Sequence, residues 1–294
     1  MIFSWVKTAK PPSMKRESSK NSWESSWESS SAAQMPKIGI EARNRSEVNS
    51  PRLTTLLDRL FFIRATTSPA KQIMTTTLEN PKSHIEHGYD VVADKYLAWS
   101  SARPTTTRMK YIADLVEKLP TGADVLELGC GAGVPATQVL IEHGLKVTGN
   151  DISAAQIALA RKHVPEATLI QGDMLALDFA PGSFDAVLGF YSIFHLPKDE
   201  QVLLIEKIRG WLRPGGWLLC NLQFEEGDVT RHGWFEPEVI MFASGLGVEG
   251  TRDIFRKKVL GFKLVVDEVD IELVGGTEER FHWIMALKED ASAD

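Results

Sequence analysis

Three glycines, Gly129, Gly131 and Gly133, stand in the run "VLELGCGAGVP" at residues 125–135, directly behind a short apolar stretch with the character of a buried strand. A glycine turn between a strand and a helix lets a ligand approach the main chain, and the helix start offers free N–H groups. The spacing decides which ligand. A dinucleotide fingerprint is GxGxxG, whereas this loop is GxGxG with Val134 where the third dinucleotide glycine belongs, and no GK[ST] follows to make a phosphate P-loop. Glu127, two residues before the first glycine, suits a cationic ligand better than a pyrophosphate. Cys130 and Cys220 sit in apolar contexts without CxxC or metal-ligand spacing, so no metal is expected and a reducing compartment is the natural one.

The elements that must position this loop follow from residue 83 onward. "RMKYIADLVEKL" carries Met109, Ile112, Leu115, Val116 and Leu119 at helical spacing and is stopped by "PTG". "ADVLEL" is a strand, and 133–143 a helix with Pro135 in its first turn and Gly144 past its end. "LKVTG" is the next strand. Ser153 and Gln156 have capping-box spacing at the start of the helix that follows. "ATLIQ" and "FDAVLGF" are two further buried strands, "KDEQVLLIEKIRGWL" is a helix, and "RPGG" turns the chain into the strand "GWLLCNL". Strands joined by helical crossovers predict an α/β, Rossmann-like, doubly wound and mostly parallel sheet. Its ligand is expected beyond the carboxyl ends of the strands. "FKLVVDEVDIELV", a "GG" turn and "RFHWIMALK" predict a C-terminal antiparallel hairpin that completes seven strands.

The remainder of the chain differs. Residues 1–73 hold 12 Lys/Arg against 6 Asp/Glu, with the repeat "SWESSWESS", whereas 74–294 hold 21 against 33. The Ser-rich N-terminal stretch, taken as 1–80, predicts a disordered or targeting tail. Within it "PRLTTLLDRLFFIRA" places Leu53, Leu56, Leu57, Leu60 and Phe61 on one face of a candidate amphipathic helix at 52–64. Met74 opens a segment with the look of a natural beginning, which keeps a start-site artefact open as the reading of that tail. The acidic balance of the rest would repel a phosphate backbone, so nucleic acid is not expected as a partner. No apolar run reaches the roughly 18 to 20 residues of a spanning helix. The expected setting is intracellular, cytoplasmic unless the tail is a mitochondrial targeting segment.

In order, "VLELGCGAG", "VTGNDIS", "GDM", "FDAVLGFYSIFHL" and "LRPGGWLL" resemble class I S-adenosylmethionine-dependent methyltransferases of the small-molecule, ubiquinone/menaquinone-type branch, over a domain of residues 83–290. The resemblance implies S-adenosylmethionine as cofactor and a small-molecule methyl acceptor, with homodimerisation open. It implies that Gly129, Cys130, Gly131 and Gly133 line the methionine end with Glu127 toward its ammonium. Asp151 would accept both ribose hydroxyls, Ile152 pack on the adenine, Asp173 and Met174 hold and cover that ring, and Phe190 and Tyr191 lie beside the sulfonium. Plainer readings stay open at this stage: Asp151 starting a turn, Met174 in the core, Cys130 merely small. Cofactor-binding without turnover and a non-methylating reaction such as a cyclisation are the alternatives in function.

Methyl transfer from a sulfonium is an in-line displacement whose catalysis is mostly alignment. Where the acceptor must lose a proton, His195 in "FYSIFHLP" is the candidate base, its other reading being a histidine that fixes the loop before Pro197. Acceptor contacts are expected from two places. One is the lid-like segment with Tyr89, Tyr96, Trp99 and Arg103. The other is an acceptor-side insertion at 223–248, with Arg231, His232, Trp234, Phe235, Met241 and Phe242 beside flexible glycines.

Overall fold

Val125, Leu126 and Leu128 are all buried within one five-residue strand, β1 (Asp124–Leu128). A run apolar at successive positions needs cover on both faces of its sheet, and here helices supply it. The computed structural model describes residues 80–102, 106–274 and 277–289, all in the second of the chain's two compact units, Thr67–Asp294. The 52–64 segment and Arg103 lie outside the described residues.

In chain order the elements are α1 (Pro81–Ser101), α2 (Thr106–Val116), β1, α3 (Ala136–Glu142), β2 (Lys146–Asp151), α4 (Ala154–His163), β3 (Thr168–Gln171), β4 (Phe184–Gly189), α5 (Lys198–Trp211) and β5 (Leu212–Gln223). They are followed by β6 (Glu226–His232), β7 (Ile240–Leu246), α6 (Gly247–Asp253), β8 (Phe262–Val274) and β9 (Thr277–Lys288). Seven strands form one sheet in the order β3-β2-β1-β4-β5-β9-β8. The first five are mutually parallel, and β9 runs antiparallel to both β5 and β8. This is the doubly wound α/β sheet with its antiparallel hairpin.

Alternate residues of β1 feed the two faces. Leu126 and Leu128 pack with Leu204, Ile205 and Ile208 of α5, while Val125 packs with Ile112 and Leu115 of α2 and Leu140 of α3. Glu127 shares the α2/α3 face with Val125, so a carboxylate occupies a position that the pattern reserves for an apolar side chain. From β1 the crossovers first run outward through β2 and β3, then return to β4 on the other side. The strand order reverses between β1 and β4, which opens a crevice at their carboxyl ends.

Two local expectations change. Pro135 is the residue before α3 rather than inside its first turn. Only half of the capping box forms: Ser153 Oγ accepts from Gln156 N at 3.1 Å, but the Gln156 side chain does not reach back. The larger difference is β6 and β7, which pair as a separate two-stranded antiparallel sheet within the expected flexible insertion.

Helix α1 is fastened to the start of α4. Asp90 accepts hydrogen bonds from Ser153 Oγ at 2.6 Å and from Ala155 N at 3.0 Å, satisfying a donor that the first turn of α4 leaves free. Asp90→Ala is expected to cost about 1–2 kcal/mol, the range for losing a helix cap. Hydrogen exchange should then speed up over 81–101 while β1 and β4 keep their protection. Unchanged exchange in α1 would show that Asp90 does not hold it.

Candidate cofactor and acceptor site

The loop after β1 is pinned by its own main chain: the N–H groups of Gly129 and Cys130 both donate to the Asn150 carbonyl, at 2.7 and 2.9 Å. Its glycines serve different ends. All three have positive φ, 73° at Gly129, 56° at Gly131 and 78° at Gly133, a left-handed backbone that side chains disfavour; they differ in what surrounds them. A Cβ on Gly129 would stand 2.3 Å from Ser192 Cβ, and one on Gly133 would stand 2.4 Å from Val164 Cγ2. A Cβ on Gly131 would meet only Gln156 Oε1, at 3.7 Å. Gly131 thus faces open space, whereas Gly133 packs on the end of α4 and does not line the cavity beside the loop.

That cavity, about 980 Å³ and open on one side, lies at the carboxyl ends of β1, β2 and β4. Glu127, Gly129, Cys130 and Gly131 line one end, and Asp151 and Ile152 the middle. Asp173 and Met174 after β3, with Phe190 and Tyr191 after β4, also line it, so that of the cofactor residues expected from the sequence only Gly133 lies off the cavity. Glu127 is 3% exposed and accepts a hydrogen bond from Thr137 Oγ1 of α3. Burial pushes its carboxyl up to about 7, against the pull of Thr137 and the Arg108 guanidinium. Asp151 is pushed up to about 6 by burial, although the N–H groups of Ser153 and Gly131 donate to its two oxygens at 2.9 and 2.8 Å. The Cys130 thiol is buried and raised well above its ordinary range, which leaves it without a nucleophilic thiolate. Asp173 accepts from Leu175 N and pairs with Lys82 of α1 at 2.7 Å, and the same ammonium reaches Glu200 at 3.0 Å.

Two cavity residues went unrecognised in the sequence. Gln156 is 1% exposed, lines the cavity, and neither of its amide atoms has a partner among the described residues; its spacing from Ser153 suggested capping instead. Arg108 of α2 lies with its guanidinium 5.5 Å from the Tyr191 ring centre and its Nε buried without a partner. Nothing in a helix-patterned stretch distinguishes this arginine from a solvated one.

A second cavity, about 2410 Å³, opens from the first and shares Tyr89, Tyr96, Arg108, Tyr191 and His195 with it. The two segments expected to contact the acceptor meet here. Tyr89 and Tyr96 stand 5.3 Å apart, and each lies 5.5 Å from Trp234 of the loop joining β6 and β7. Trp99 packs on Phe235 at 5.6 Å. Met241 and Phe242, both buried, line the wall. Arg231 pairs with Glu279 at 3.3 Å at the edge, while His232 is exposed and lines neither cavity.

His195 ends a 3-10 turn, Ile193–His195, between β4 and α5. Its Nδ1 is 2.5 Å from the Phe242 carbonyl and its Nε2 is 3.1 Å from the Tyr89 hydroxyl. A carbonyl can only accept, so Nδ1 carries the proton and Nε2 accepts from Tyr89. Burial lowers the imidazole to about 4, with the Phe242 carbonyl acting in the other direction, so the ring is neutral at physiological pH. Among the described residues no cluster of His, Cys, Asp and Glu could hold a metal ion, and no helix is long and apolar enough to cross a membrane.

Residues 125–216 match the family model of a methyltransferase domain. A sterol 24-C-methyltransferase of Gibberella zeae is 34% identical over 122 residues, which are 37% of this chain and 31% of the relative. A 2-methyl-6-phytyl-1,4-hydroquinone methyltransferase of Synechocystis sp. is 36% identical over 127 residues, 42% of this chain and 39% of the relative. The chain therefore spans less than half the length of either. Among solved structures, the 1,6-didemethyltoxoflavin-N1-methyltransferase of Burkholderia thailandensis superposes with a TM-score of 0.57 at 17% identity, over 76% of this chain and 99% of that one. The [4+2]-cyclase SpnF superposes at 0.50 and 19% identity, over 70% and 95%; at these identities the likeness is one of fold. Strand order, glycine loop and buried carboxylates agree with the match of residues 125–216 to a methyltransferase domain.

Proposed function

We propose that the chain transfers a methyl group from S-adenosylmethionine to a bulky small-molecule acceptor with an apolar body. The observation that carries this reading is the junction of the two cavities: one that holds the buried carboxylates Glu127 and Asp151 shares Tyr89, Tyr96 and His195 with a second, whose lining sets aromatic rings beside charged side chains such as Glu226, Asp228 and Arg280. The donor set fits the cofactor. Glu127 offers a buried carboxylate to an ammonium, and Arg108 offers an unpartnered guanidinium nitrogen to a carboxylate. Asp151 keeps lone pairs on both oxygens for a diol, and Gln156 presents an unsatisfied amide. Orphaned buried groups of this kind cost about 1–3 kcal/mol each, a cost that a bound polar partner removes. When bound, the cofactor supplies an activated methyl group on a sulfonium. Protein residues then have to bind, orient and exclude water. Relatives named for a sterol and for a phytyl hydroquinone as substrates support an acceptor large enough to use the aromatic cavity. Tyr89, Tyr96, Trp234 and Phe242 give it apolar surface.

Glu127 makes cofactor affinity depend on pH. Its carboxyl titrates at about 7 in the free protein, and only the ionised form attracts an ammonium. Affinity for S-adenosylmethionine should therefore weaken about tenfold per unit below that pH, and fall again above about 8, where the ligand's own α-ammonium loses its proton. Calorimetry at pH 7 in buffers of different ionisation enthalpy should register proton release on binding, and Glu127→Gln should abolish that release and the slope between about pH 6 and 7, leaving the fall below about 6 to Asp151. A pH-independent affinity in the unaltered protein contradicts the assignment.

The loop glycines separate fold from site. Gly133→Ala clashes with Val164 and should lower stability by about 2–3 kcal/mol or more, beyond the roughly 1 kcal/mol of a left-handed alanine. Gly131→Ala has room and should lose only that smaller amount, yet weaken cofactor binding at least tenfold. Denaturant melts and S-adenosylhomocysteine titrations on the two variants check this; equal effects on both measurements defeat the distinction. The central test is label transfer from methyl-labelled S-adenosylmethionine to a panel of sterols, quinols and phenols. Tight cofactor binding with no label on any of them would point to a cofactor-binding protein without turnover.

A further inference from the structure

Tyr89 and His195 meet at the junction of the two cavities, and the pair has a defined polarity. Phe242, on the strand β7, holds the Nδ1 proton through its carbonyl at 2.5 Å, and this leaves the Nε2 lone pair aimed at the Tyr89 hydroxyl 3.1 Å away. Tyr89 is packed edge-on against Tyr96 and Trp234, which orients its ring, and its hydroxyl hydrogen-bonds with Tyr96 as well as with His195. We propose that Tyr89 and His195 form a two-residue proton relay, and that the methyl acceptor is a hydroxyl oxygen, most simply a phenol, whose proton leaves through Tyr89 to Nε2 of His195. This rests on the methyl-transfer reading.

The step balances. As the acceptor oxygen forms its bond to the methyl carbon, the carbon–sulfur bond breaks with its electron pair going to sulfur, and the sulfonium becomes a neutral thioether. The acceptor proton passes to the Tyr89 oxygen while the Tyr89 proton passes to Nε2. The resulting imidazolium donates from Nδ1 to the Phe242 carbonyl and from Nε2 to Tyr89, and later loses its proton to water. The need for a proton path argues for oxygen over nitrogen. A neutral amine attacks through its lone pair and its methylated ammonium product can leave protonated, so the relay is not required there. A hydroxyl oxygen turns oxonium-like, and far more acidic, as the methyl arrives, and even an imidazole lowered to about 4 can take that proton through Tyr89.

The experiment uses the full chain, with methyl-labelled S-adenosylmethionine and matched acceptors: 4-methoxyphenol, 4-nitrophenol, 4-methoxyaniline and benzylamine. Label is expected on the phenols, and any labelling of the amines should not depend on Tyr89 or His195. Tyr89→Phe and His195→Asn should reduce kcat for 4-methoxyphenol by about a hundredfold, within the range for a positioned acid–base group. At pH 8 both variants should recover most of the rate with 4-nitrophenol, which is already ionised and needs no base. Their affinity for S-adenosylhomocysteine should stay within about twofold of the unaltered chain, which also shows that they fold. Equal losses with both phenols, losses as large with the amines as with 4-methoxyphenol, or no labelled phenol from a chain that binds S-adenosylhomocysteine would each overturn the relay. A chain that binds no S-adenosylhomocysteine fails at the methyltransferase reading itself.

Discussion

The structure turns on a latch between the ends of β1 and β4. Ser192 Oγ donates to the Leu128 carbonyl at 2.7 Å, and the Ser192 side chain rests where a Cβ on residue 129 would be. Only glycine at 129 permits this contact. On the other side, the Asn221 side chain accepts from Tyr191 N at 2.7 Å, so the segment leaving β4 is held by both neighbouring strands. Phe190, Tyr191 and His195 are all delivered by that segment. The crevice that a strand-order reversal opens in such sheets is therefore given one fixed wall, and the glycine loop forms the wall facing it.

Much of this was legible in the sequence because β1, β2, β4 and β5 are largely buried and stand out as apolar runs; the edge strand β3, also expected to be buried, has no buried residue, since it has a neighbour on one side only. Glu127 was legible for the opposite reason, as a charge inside such a run. The hairpin of β6 and β7 was not. Its first strand, Glu-Gly-Asp-Val-Thr-Arg-His, has a single apolar residue, Val229, and that residue is exposed. Pairing with Ile240–Leu246 stabilises it, and no local pattern records such a pairing. Gln156 and Arg108 were missed because their importance is a matter of which neighbours are absent: a polar group without a partner is visible only once the surroundings are.

The aromatic wall shows how two weak signals become one strong feature. Tyr89 and Tyr96, seven residues apart, suit an ordinary core-facing helix, and Trp234 and Phe242 suit ordinary packing. Their convergence follows from α1 being docked at Asp90 and from the hairpin folding back over it. Edge-on ring contacts at 5.3 to 5.6 Å fall in the geometry that aromatic pairs prefer, so the wall is a packed surface in its own right.

Helix α1 also covers the first cavity, with Lys82 bridging Asp173 and Glu200 at one end and Tyr89 on His195 further along. Both contacts belong to a single rigid element. Any shift of α1 would act on both at once, so the end of the cavity beside Asp173 and the end beside His195 are mechanically tied through one helix.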